Sequence, residues 1–86
     1  MDKPGFFVRR RLRRAESLFH QALSVNPAFW SGMWALGKIH QLRGEHHDAF
    51  AWVSKALGLN PSQPDVAREA TLAALDVGKA DDAVRL

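Results

Sequence analysis

A chain of 86 residues makes one domain at most and buries only about 60% of the surface its unfolded form exposes, so its stability must come from a few well-packed elements. With no cysteine it has no disulfide framework, no thiolate metal site and no thiol nucleophile, a composition that suits a reducing, cytoplasmic setting. The net charge of +3 is local: Lys3, Arg9, Arg10, Arg11, Arg13 and Arg14 face Asp2 alone in the first 14 residues, a balance of +5, while the other 72 residues sum to −2, so the body lacks the global basic character that marks a nucleic-acid binder.

Residues 1–5 read as a disordered N-terminus, since Pro4-Gly5 interrupts any regular element. Phe6-Phe7-Val8 is too short for a signal-peptide core, and no run approaches the about 18 apolar residues of a membrane span. From Phe6 to Val25 there is neither Gly nor Pro, and Leu12, Ala15, Leu18, Phe19, Ala22 and Leu23 recur at three- and four-residue steps. That spacing predicts an amphipathic helix. Asn26-Pro27 ends it, because a residue before proline is steered out of the helical region.

A second helix is expected from about Ala28 to Arg43, with Met33, Leu36, Gly37 and His40 on one face and Ser31, Trp34, Lys38 and Gln41 on its neighbour. Gly37 lies inside it, at a cost of about 1 kcal/mol relative to alanine, which a close approach to Ala49 on the next helix would justify. Gly44, just after Arg43, stands where a helix C-cap belongs. The third helix, about His46 to Leu57, would pack through Ala49, Phe50, Val53, Ala56 and Leu57. Gly58 to Pro61 closes it, and Ser62 or Asp65 is suited to cap a fourth helix reaching about Val77. Gly78 is then expected to turn the chain into a short last helix over 80–86, leaving Ala70, Ala73, Ala74 and Val77 incompletely covered.

Underlying this order is a period. Against itself at an offset of 34 the chain offers 52 pairs, nine of them identical. They fall on Asn26-Pro27 and Asn60-Pro61, Ala22-Leu23 and Ala56-Leu57, Gly44 and Gly78, Asp48-Ala49 and Asp82-Ala83, Ala15 and Ala49, and Arg9 and Arg43. Punctuation and small apolar positions are what a repeated helix-turn-helix unit must hold constant while its surface drifts.

Counted from Trp30, the unit resembles a tetratricopeptide repeat. Leu36-Gly37 matches the family's Leu-Gly pair, Gly44 its turn glycine, Ala49 and Ala56 its two small positions on the second helix, and Pro61 its closing proline; Met33 and His40 replace the favoured Trp and Tyr. The resemblance implies an all-α fold, a right-handed α-solenoid of antiparallel helix pairs with about 2.5 repeats. Residues 6–27 would be the second helix of a partial unit, 28–61 a full unit and 62–86 a truncated one. It also implies a scaffold that binds a protein or peptide on its concave face, lined by Ser31, Trp34, Lys38 and Gln41 and, one unit on, by Asp65, Arg68, Leu72 and Leu75. Trp34 is the expected anchor, since tryptophan joins large buriable area to low conformational entropy, with Lys38, Gln41 and Arg68 as polar selectors. The family's clamp for acidic chaperone tails needs asparagines where this chain has Lys38 and Leu72, so that specialised function is not expected. Uncovered array ends imply either a longer protein or self-association.

Catalysis is not expected. Ser17, Ser24, Ser31, Ser54 and Ser62 lack any nucleophile-elbow context, the glycines never cluster into a phosphate loop, and no His-x-x-x-His spacing exists. His46 and His47, adjacent on a helix, diverge by about 100°, so no metal, cofactor or small-molecule substrate is anticipated. Two other roles compete with the interaction module. One is a purely structural segment of a larger protein. The other is an anionic-surface binder using Arg9, Arg10, Arg11, Arg13 and Arg14, which the want of a second basic element or an aromatic stacking platform disfavours for nucleic acid and membrane alike.

Overall fold

A computed structural model describes the backbone of residues 4–85 and the side chains of residues 9–82. It is all-helical, with α1 at Pro4–Val25, α2 at Trp30–Leu42, α3 at His46–Leu59 and α4 at Pro64–Arg85, and no strand among the described residues. Each helix packs chiefly on the next along the chain, α1 on α2, α2 on α3 and α3 on α4.

The period of 34 is visible in the backbone. α1 ends at Val25 and α3 at Leu59; α2 starts at Trp30 and α4 at Pro64. The turns between them use equivalent hydrogen bonds: Asn26 N–H donates to Ala22 O (2.9 Å) and Asn60 N–H to Ala56 O (3.0 Å), while Phe29 N–H donates to Asn26 O (3.1 Å) and Gln63 N–H to Asn60 O (3.3 Å). Proline at the second turn position explains the likeness, since its fixed φ pre-sets the bend and it needs no donor there.

Gly44 closes α2 as its sequence position suggests. Its φ of +76° lets Glu45 N–H reach His40 O (2.9 Å) and Gly44 N–H reach Gln41 O (3.0 Å), the paired bonds of a Schellman motif. Gly37 is buried, and a Cβ built on it would lie 3.3 Å from Ala49 O and 3.4 Å from Val53 N. The α2 and α3 backbones thus meet at this residue, as the sequence anticipated. The core joins Val53 and Ala56 of α3 to Val66, Ala70 and Ala73 of α4, roofed by Trp30, Met33, Trp34 and Leu57. Leu36 is wholly buried on α2.

Several expectations are corrected. α1 begins at Pro4 rather than Phe6, because proline fits the first helical turn, where its missing N–H has no partner to lose; residues 1–3 lie outside the described part. Pro64 opens α4 in the same way, while Ser62 Oγ donates to Asn60 Oδ1 (3.2 Å) and Asp65 accepts from Arg68 (3.3 Å), so neither is engaged as the expected cap. Phe50 stays exposed, as does Ala74.

The largest departure is at Gly78, where no turn forms: α4 runs through it to Arg85, so the expected short helix over 80–86 is the end of α4 itself. Unlike Gly44, Gly78 is not among the positive-φ glycines, and the segment after it offers a returning helix almost no apolar face to bury. Continuing the helix gains a backbone hydrogen bond per residue without the cost of a new nucleus. The extension also gains His47 of α3, whose Nε2 lies 3.1 Å from Asp81 Oδ1.

Candidate functional site

A cleft of about 470 Å³ opens between α2 and α4 with α3 as its floor. Gly37, Ala49, Val53 and Ala73 make the bottom. The missing side chain at Gly37 and the methyls at Ala49 and Ala73 keep it concave, since any larger residue would fill it. Leu42 and Leu72 stand on opposite lips, 72% and 53% exposed, well above what apolar side chains adopt when a core needs them.

Polar pairs bridge the two walls. Lys38 Nζ of α2 lies 3.8 Å from Glu69 Oε1 of α4, and Gln41 Nε2 of α2 donates to Asp76 Oδ2 of α4 at 2.6 Å. Trp34 adds a third link through its indole N–H, which donates to Glu69 Oε2. Lys38 also sits over the Trp34 ring, 4.2 Å from its centroid, and Trp34 stacks on Trp30 with centroids 6.1 Å apart. Trp30, Trp34, Lys38 and Glu69 thus form one column at the end of the cleft nearest the start of α2.

Of the residues expected to line a groove, Lys38 and Gln41 do so. Trp34 does not; it is half-buried in the column just described and ties α2 to α4 rather than standing free as an anchor. Ser31 is half-buried one turn before it. Asp65 and Arg68 pair with each other on the exposed side of α4 and are absent from the lining. Leu42, Glu69 and Asp76 were missed. A signal existed for the acids: each lies 35 residues from its partner, Trp34 to Glu69 and Gln41 to Asp76, one step beyond the period used to align the units.

The histidines fall elsewhere. His20 meets the Trp52 ring edge-on at 5.5 Å, and Lys55 covers that ring at 4.7 Å. His40 sits between two carboxylates, with Nδ1 2.7 Å from Glu45 Oε1 and Nε2 3.6 Å from Glu16 Oε2. His40, Glu45 and Asp48 each place one potential ligand atom within 4.8 Å of the others. Arg43 stands among the same carboxylates, 2.9 Å from Glu16 and 3.7 Å from Glu45, and its fixed positive charge opposes a cation there.

The arginine cluster is displayed in full. Arg9, Arg10, Arg11, Arg13 and Arg14 are all exposed, and none takes part in an ion pair among the described residues. No described helix is long and apolar enough to cross a membrane. Compared with models of known families, with curated proteins and with solved structures, the chain finds no match.

Proposed function

We propose that the chain is a peptide- or protein-binding helical module, a right-handed array of antiparallel helix pairs akin to tetratricopeptide repeats. Its partner seats a large apolar side chain in the α2–α4 cleft. The observation that carries this reading is the cleft itself, an apolar floor left open between two exposed leucines in a chain that is otherwise economical with its core. The recurrence of helix ends and turn hydrogen bonds at 34 residues supports the array.

Charge narrows the occupant. The lining carries Glu69 and Asp76 against Lys38 alone, so the cleft is acidic by one charge. It therefore favours an amphipathic segment with one or two bulky apolar residues and a lysine or arginine placed towards Asp76. Leu42 and Leu72 grip the apolar residue, Gln41 and Asp76 take the polar contact, and no covalent chemistry is involved.

The structural-segment reading has one observation in its favour: Trp34, the most conspicuous candidate anchor, is engaged within the fold. The two separate on Leu72. Selection of a randomised peptide library on the immobilised chain is expected to enrich basic amphipathic sequences, and Leu72→Asp to weaken them by about tenfold or more at unchanged helicity. Failure to enrich any sequence, or binding indifferent to Leu72→Asp and Leu42→Asp, would favour the structural segment.

A further inference from the structure

The arginines of α1 form a surface quite separate from the cleft. Glu16 of α1 pairs with Arg43 at the end of α2 (2.9 Å) and approaches His40 (3.6 Å), which sets the level of the two helices. Everything in α1 before Glu16, residues 4–15, therefore runs on past the last turn of α2, about 18 Å of helix at 1.5 Å per residue. All five arginines lie on this overhang, exposed and with no ion-pair partner among the described residues.

At about 100° per residue, positions 9, 10, 11, 13 and 14 spread over about 200° of the helix circumference. Leu12 and Ala15, both half-buried, occupy the remaining side with Phe19 and Leu23. That distribution discriminates between anionic partners. A flat lipid surface touches one narrow side of a helix and asks for an apolar stripe to bury beside the charges, yet the apolar side of α1 is turned to α2. A groove walled by phosphates on both flanks meets a wide basic arc on both sides at once. The major groove of duplex DNA is about 12 Å wide and admits one helix of about that diameter.

We propose that the projecting N-terminal half of α1 enters the major groove of double-stranded DNA, its five arginines neutralising phosphates on both strands without base-specific readout. The acids at the far end of α4 do not oppose this. α1 and α4 share no helix–helix interface; with a helix between them their axes stand about 16–20 Å apart, twice the screening length of about 8 Å at physiological salt.

Fluorescence anisotropy with a labelled short DNA duplex of mixed sequence, titrated with the full chain across a salt series, tests the proposal. Five neutralised phosphates give a slope of log K against log salt of about −4.5, a loss of about 500-fold in affinity between about 50 and 200 mM salt. The triple variant Arg10→Gln, Arg11→Gln, Arg14→Gln is expected to keep the wild-type helicity and thermal transition, since these side chains touch nothing in the fold, and to flatten the slope to about −1.8. Duplex RNA, whose major groove is too deep and narrow to enter, is expected to bind more weakly. No DNA binding at low salt, a slope unchanged in the triple variant, or equal affinity for duplex RNA would each overturn the proposal. So would tighter binding to phosphatidylserine vesicles than to DNA, which would assign the arginines to a membrane surface.

Discussion

Three glycines of this chain predict three different responses to one substitution, and together they test the fold. Gly78 lies in the continuous part of α4 with nothing within 4 Å of a built Cβ. Gly78→Ala therefore gains the helix-propensity difference alone, up to about 1 kcal/mol. Gly37→Ala gains the same local term but places a methyl 3.3 Å from Ala49 O and 3.4 Å from Val53 N. These are backbone atoms of α3, which yield only if the whole helix moves, and overpacking of that kind costs about 1–3 kcal/mol; the net effect is expected between about neutral and 2 kcal/mol destabilising. Gly44→Ala has all the room it needs, yet its φ of +76° costs an L-residue about 1–2 kcal/mol. Thermal unfolding followed by circular dichroism resolves these signs, since about 1 kcal/mol moves the midpoint of a domain this size by about 4–8 °C. Gly78→Ala should raise the midpoint, Gly44→Ala lower it, and Gly37→Ala fall clearly below Gly78→Ala. If Gly78→Ala destabilised as Gly44→Ala does, α4 would have to turn at Gly78 and the structure of the last unit would be wrong. If Gly37→Ala matched Gly78→Ala, the close meeting of α2 and α3 would be refuted.

Other substitutions probe the core and the links across the cleft. Leu36, fully buried, should cost about 2–5 kcal/mol on truncation to alanine, whereas Leu42→Ala, 72% exposed, should stay within about 0.5 kcal/mol; urea titration of both distinguishes a core residue from a ligand-facing one. Gly32→Ala would drive a methyl to 2.6 Å from the Phe29 ring, so the ring must swing away, and near-ultraviolet circular dichroism should report the loss of its packing. Glu69→Ala removes the acceptor of the Trp34 indole N–H. A hydrogen bond to a charged group contributes about 1.5–3 kcal/mol when well shielded, and about 1 kcal/mol is expected at this half-exposed site, with a change in tryptophan emission as the readout; unchanged emission would remove Trp34 from the column.

Much of the architecture was legible in the sequence. Asn-Pro is a local instruction, because the steric effect of proline on its predecessor acts wherever it stands, and both copies bend alike. Gly37 could be placed against Ala49 because a glycine inside a helix is costly enough to need a cause. Gly78 shows where such inference stops. It matches Gly44 by position, but a turn forms only when the returning segment has something to bury, and residues 79–85 do not. The same limit applies to the site. Periodicity assigned Trp34, Lys38 and Gln41 to adjoining faces of one helix but could not say which residues of another helix would oppose them. Glu69 and Asp76 are single polar residues with no pattern of their own, and without them Trp34 looked available for binding. Phe50 belongs with these misses: its spacing suits the inner face of α3, but nothing in one helix's sequence tells how far its neighbours extend to cover it.

The fastenings between Lys38, Trp34 and Glu69, and between Gln41 and Asp76, also bear on selectivity. They act as cross-ties that fix the gape between α2 and α4 before anything arrives. A slender guest finds its slot ready-made and forfeits little free energy in gathering the walls around itself. A stouter one must first undo a tie and leave a carboxylate or an indole N–H without its mate. Girth, as much as polarity, would then decide admission.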